Sequence, residues 1–206
     1  MGLSIHYKGN LRTKAALPLL IEEVKDIVEI YKWPYHVFET DFPVNHFGRK
    51  KIKTNLYGIS FTPPECETVS LTFLSNGTLI DYLSWVIYIK SQARDQSILQ
   101  GGASVKTQYA GAAIHKLLIH IMDHLSKKYF RHFEMMDEGE YWETRDEKRL
   151  DKNFALLTSL LNGMQTIFLE NPISEGEPFE KYFRRLIGKI HSLAEGHKND
   201  DKQKLE

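Results

Sequence analysis

Between Glu134 and Glu143 the chain places five carboxylates, Glu134, Asp137, Glu138, Glu140 and Glu143, around Tyr141 and Trp142. Paired carboxylates can serve as general acid and base when their surroundings push their pKa values apart. Large aromatics beside them suit a cationic or hydroxyl-rich ligand, with Trp142 as a stacking platform. Asp137, Glu138 and Glu140 are therefore the candidate catalytic residues, and Tyr141 and Trp142 the candidate binding residues. In strand geometry Glu138, Glu140 and Trp142 would share one face, with Tyr141 and Glu143 on the other. The plainer reading is a solvated hairpin turning at Glu138-Gly139 whose two aromatics pack on a sheet.

Two histidines stand upstream. His120 and His124 are four apart and project from one side of a helix, the spacing of many two-histidine metal sites. Ile121 occupies the position where a His-Glu-x-x-His zinc protease has its glutamate. His115 lies about 140° around the helix from His120 and does not join the pair. They are weak metal candidates, and the expectation is neither metal nor cofactor. Gly101-Gly102-Ala103-Ser104 fits neither a dinucleotide nor a Walker loop, and reads as a connector with Ser104 capping a helix. Cys66 sits between Glu65 and Glu67, whose charges suppress a thiolate, so it reads as inert.

Composition narrows the partners. The 206 residues carry 27 basic and 27 acidic side chains and no net charge. A nucleic-acid binder draws most of its affinity from neutralising phosphates, so this balance argues against one. Arg49-Lys50-Lys51 is the one basic run, read as a solvated turn before a strand. A lone cysteine forms no internal disulfide, the N-terminus lacks the pattern of a secretion signal, and no apolar run approaches the ~20 residues a bilayer needs. The expectation is a cytoplasmic protein with no membrane contact.

The elements that must position these residues follow from periodicity. Ile5 and Tyr7 alternate with polar neighbours as in a strand. Leu17, Leu20, Ile21, Val24, Ile27, Val28 and Tyr31 repeat at helical spacing, and Trp33-Pro34 ends the run. Strands are expected over 35–40, 51–61 and 69–73, then over 79–89, where Leu79, Leu83, Trp85, Ile87 and Ile89 lie at even spacings. Asn76-Gly77 between the last two predicts a two-residue type I′ hairpin. Ala110, Ile114, Leu117, Leu118, Ile121, Leu125 and Tyr129 outline a long central helix. Thr144 and Glu147 form a capping-box pattern ahead of the stripe Leu150, Phe154, Leu157, Leu161, Met164 and Phe168. Phe179, Phe183, Leu186, Ile190 and Leu193 make a narrow seam on a last helix.

Together these predict an α+β fold: a mostly antiparallel sheet of four to six strands, covered by the N-terminal and central helices, with a C-terminal helical pair. The expected organisation is an α+β domain over 1–170, a helix over 171–196 packed on it, and a disordered tail over 197–206. The run Gly58-Ile59-Ser60-Phe61-Thr62-Pro63-Pro64-Glu65-Cys66-Glu67, continuing to the Asn-Gly hairpin, resembles a set of bacterial proteins with no assigned activity. Asp137-Glu138-Gly139-Glu140-Tyr141-Trp142-Glu143-Thr144 is similar to a second segment of that set. The resemblance implies a bacterial origin and no catalytic residue. The functional reading is a protein-interaction or ligand-binding domain, with another protein or a second copy as partner. The alternative is a hydrolase using the carboxylates of Asp137–Glu143, with a metal on His120 and His124.

Overall fold

The computed structural model describes residues 3–49, 52–53, 55–91, 98–99 and 102–189. Two compact units are present, Met1–Phe154 and Ala155–Glu206.

The first unit opens with β1 (Ser4–Leu11), followed by α1 (Ala16–Tyr31). The apolar stripe of α1 is buried from Ala16 to Val28. The helix stops where Lys32 turns left-handed and the Trp33 N–H reaches back 2.8 Å to the Val28 carbonyl. Next come β2 (Tyr35–Val37), β3 (Tyr57–Phe61) and β4 (Val69–Phe73), every residue of β3 and β4 buried. They form an antiparallel sheet in the order β2-β3-β4. A second antiparallel sheet has the order β5-β1-β6, with β5 at Ala103–Lys106 and β6 at Phe130–Asp137.

The fold is thus α+β with antiparallel strands, but in two three-stranded sheets where one was expected. Residues 77–80 stitch them together. The Leu11 N–H donates to Gly77 and the Leu79 N–H to Gly9 on one side, while the Ile80 N–H donates to Thr72 and the Leu74 N–H to Thr78 on the other. Buried Tyr7 adds a side-chain link, its hydroxyl donating to the Ser70 carbonyl and accepting from the Ser70 N–H, both at 3.0 Å.

Several local expectations are corrected. The segment after Ile80 is a helix, α2 (Tyr82–Lys90), because the Asp81 carboxylate caps the Ser84 N–H and sets helical geometry over its even-spaced apolar residues. At Asn76-Gly77 only Gly77 takes positive φ, and the bond closing the turn runs from the Gly77 N–H to the Leu74 carbonyl. That is a three-residue turn closed by a left-handed glycine, not type I′. Ser104 belongs to β5, whose ladder with Ser4–Tyr7 claims it, and α3 (Gly111–Tyr129) begins later. The expected strand over 35–40 shortens to β2, and among the described residues of the expected 51–61 only Tyr57–Phe61 is β-strand, Lys51 and Thr54 lying outside them.

After β6, Tyr141–Thr144 forms one helical turn, α4, where a strand was read. Then comes α5 (Glu147–Glu170), capped by Asp146 through the N–H groups of Lys148 and Arg149 and not by a Thr144–Glu147 box. Glu147 instead pairs with Lys116 at 2.9 Å.

In the second unit a further helix, α6, covers residues 179–189. Leu157, Ile167 and Leu186 are buried there. The Asn171 amide, also buried, donates to the Ile167 carbonyl at 2.9 Å and so closes the C-terminus of α5. The expected seam splits: Leu186 is buried, whereas Phe179 and Phe183 face water. Ile190 and Leu193 of that seam, and the tail over 197–206, lie outside the described residues.

Candidate functional site

The acidic segment folds inward at its first carboxylate. Asp137 ends β6 and is 4% exposed. Its Oδ1 accepts from His115 Nε2 at 2.8 Å and from the Gly139 N–H at 2.7 Å. Its Oδ2 accepts from the Tyr141 and Trp142 N–H groups at 2.7 and 3.0 Å. These are the orphan donors at the start of α4, so Asp137 is the cap that bends the chain there. Burial opposes its charge, but the His115 hydrogen bond, that ring's charge and the backbone donors outweigh it and hold the carboxyl below its ordinary range. Each oxygen already accepts two hydrogens, which leaves no lone pair to take a proton from a substrate.

His115 extends the network. An ionised Asp137 only accepts, so Nε2 of His115 carries a hydrogen. Nδ1 lies 2.6 Å from the hydroxyl of Thr107, whose N–H and hydroxyl both approach the Leu3 carbonyl, at 2.9 and 3.1 Å. Thr107 and His115 are fully buried, and Phe154 sets its ring edge-on to the imidazole at 5.5 Å. A methyl group on Gly139 would lie 2.8 Å from both His115 Nε2 and a Leu150 methyl, so only glycine fits. The array fastens the ends of β1, β5 and β6 to α3 and α4.

The remaining candidates have partners of their own. Glu138 accepts from the Ser4 N–H at 2.8 Å and lies 3.6 Å from His6. Glu140 pairs with Arg149. Trp142 is half-buried, and the cation over its ring is the protein's own Arg145, at 4.8 Å. Tyr141 is buried with its hydroxyl 3.2 Å from His120 Nε2. His124 turns away to Glu23 of α1 at 2.6 Å. The structure therefore brings His120 to the aromatic segment and leaves His124 elsewhere. Among the described residues no three His, Cys, Asp or Glu side chains are grouped to hold a metal.

Glu23 gathers a second cluster. It accepts from Lys128 at 2.8 Å, from His124 and from the Tyr129 hydroxyl, joining α1 to α3. Burial raises its pKa, but the bonds from Lys128, Tyr129 and His124 dominate and bring it down to about 2. At Cys66, burial first and the Glu67 charge second push the thiol up to about 11, a poor nucleophile at neutral pH.

In the sequence His115 stands apart from the His120–His124 pair, and Thr107 and Glu23 carry no motif. Nothing local marks them, because their partners lie 22, 8 and 101 or more positions away. A different feature stands out in the second unit. From Ala155 to Leu169 α5 carries no charged residue, yet most of this stretch faces water. Leu156, Leu160, Met164 and Phe168 fall within an arc of about 120°. On α6, Phe179, Phe183 and Ile187 share a side in the same way. These seven residues are between 40% and 70% exposed.

Comparison with protein-family models, with curated proteins and with solved structures finds no match.

Proposed function

We propose that this chain is a protein-interaction protein, and that the partner docked on its α5 and α6 faces is a second copy of itself. The uncharged yet water-facing helix over Ala155–Leu169 carries this reading. A helix that meets water in a monomer ordinarily alternates its apolar stripe with charged residues. With Ile173, the seven exposed side chains leave on the order of 800 Å² of apolar surface in water, distributed over the two helices. A stable interface hides ~800 Å² per partner, an area that these faces together can supply.

Charge favours a like partner over an oppositely charged one. Residues 155–189 hold four acids (Glu170, Glu175, Glu177, Glu180) and four bases (Lys181, Arg184, Arg185, Lys189). Such a surface neither repels its own copy nor selects a strongly charged protein.

Light scattering coupled to size exclusion, at micromolar concentration, tests this on the full chain. The expected result is a dimer, with Leu160→Glu monomeric and its far-ultraviolet circular dichroism unchanged, since Leu160 is exposed in the single chain. A wild-type chain that stays monomeric up to ~100 μM overturns the proposal. Should that monomer bind lipid vesicles, the face belongs to a membrane surface instead.

A further inference from the structure

A cleft of about 250 Å³ opens where the 43–49 loop meets the end of β1 and the turn at Asn76. Arg49 and Arg131, distant in sequence, both line it, with Asn10, Asn76 and Thr78. Neither guanidinium has a carboxylate or any other side-chain partner among the described residues, and no described Asp or Glu lines the cleft. The amides are poised as donors too. Asn76 uses its side-chain carbonyl on the Thr78 N–H at 3.0 Å, which leaves its NH₂ group for a ligand. Asn10 gives one N–H to the Thr78 hydroxyl at 2.9 Å and keeps the other. The chain has no net charge, yet the charged side chains described around this hollow are both basic.

We infer that this cleft binds a phosphoryl group. Two guanidiniums present forked donors that match a tetrahedral dianion, and flanking amides can complete its oxygens' hydrogen bonds. The basic residue that opens Arg49-Lys50-Lys51 thereby gains a role beyond a solvated turn. A neighbouring cleft of about 300 Å³ shares Asn10 and Thr78 and adds Leu79 and Phe133 beside the Lys8–Glu134 ion pair. It has room for an organic body attached to the phosphate, so the phosphoryl group could come free or as a monoester.

Isothermal titration of the full chain at low salt, with inorganic phosphate in one arm, adenosine monophosphate in another and adenosine in a third, tests the inference. Saturable binding of phosphate or the monoester, weakened by added sodium chloride, is expected. The double variant Arg49→Gln/Arg131→Gln should lose at least tenfold in affinity while keeping its thermal midpoint, since both side chains are exposed. Equal affinity for the two anions identifies free phosphate as sufficient, and tenfold tighter binding of the monophosphate identifies the ester. Absence of saturable binding by either anion, undiminished binding by the double variant, or adenosine binding as tightly as its monophosphate overturns it.

Discussion

Asp137 was one of three candidates for acid–base chemistry, and in the fold it fastens the chain around it. The same carboxylate that would accept a substrate proton receives one imidazole and three backbone N–H groups at once. Asp137→Ala should destabilise the protein by about 3–5 kcal/mol, because it strands a buried His115 and frees three donors together. Urea unfolding of the variant measures this, and a midpoint close to wild type would show the network to be dispensable. Glu23 makes a prediction about acid. Its carboxyl titrates at about 2 in the folded chain against an ordinary 4.5. On acidification the unfolded chain takes up the proton first, so the stability Glu23 contributes is complete above about pH 4.5 and is lost as pH falls towards 2. With Glu23 partly open to solvent, the loss is roughly 2 kcal/mol. Glu23→Gln should flatten the fall in stability between pH 5 and 2, and an unaltered profile would count against the cluster.

At the scale of elements, short-range hydrogen bonds overrule periodicity wherever the two conflict. Even-spaced apolar residues after Ile80 fit a strand, but a carboxylate placed to cap Ser84 starts a helix, and Tyr88 is the residue that helix buries. The turn at Asn76-Gly77 shows the converse, a correct turn signal realised in another geometry. Gly77 has φ +86°, and a Cβ there would meet the Phe47 ring at 2.5 Å. Gly77→Val should therefore cost ~1–3 kcal/mol, from backbone strain and the ring contact together. The denaturation midpoint reads it out, and no shift would mean the turn relaxes without penalty. Because residues 77–80 bond to both β1 and β4, a looser turn should also weaken the joint between the two sheets.

For the whole molecule the question is what covers the C-terminal helices. In the first unit α1 and α3 bury the stripes that carry Leu17 and Leu118, and β4 buries Phe73. The second unit buries Leu157, Ile167 and Leu186 but leaves Phe179 largely in water. Self-association would couple stability to concentration: the thermal midpoint of a dimer should climb by about 1–2 °C for each tenfold rise in protein. Differential scanning calorimetry over two decades of concentration would detect it. A midpoint independent of concentration, in a reversible transition, would argue that the exposed face contributes no dimer.

The sequence alone carries the α+β class, the N-terminal and central helices and the antiparallel pairing of β3 with β4. Each follows from local quantities: the spacing of Leu17 to Val28 or Leu118 to Leu125 marks a helical face, and alternation marks a strand. It located the acidic segment and the turn at Glu138-Gly139 as well. Which atoms those residues meet is set in the packed chain. His115 reaches Asp137, His124 reaches Glu23, and Arg49 shares a cleft with Arg131 because strands and helices distant in sequence are brought side by side. Periodicity says which side of an element a residue occupies; a hydrogen bond depends on which atoms of a remote segment arrive within about 3 Å of it. That distance is a property of the packed chain, so the same carboxylate can read as a catalyst in the sequence and serve as a cap in the fold.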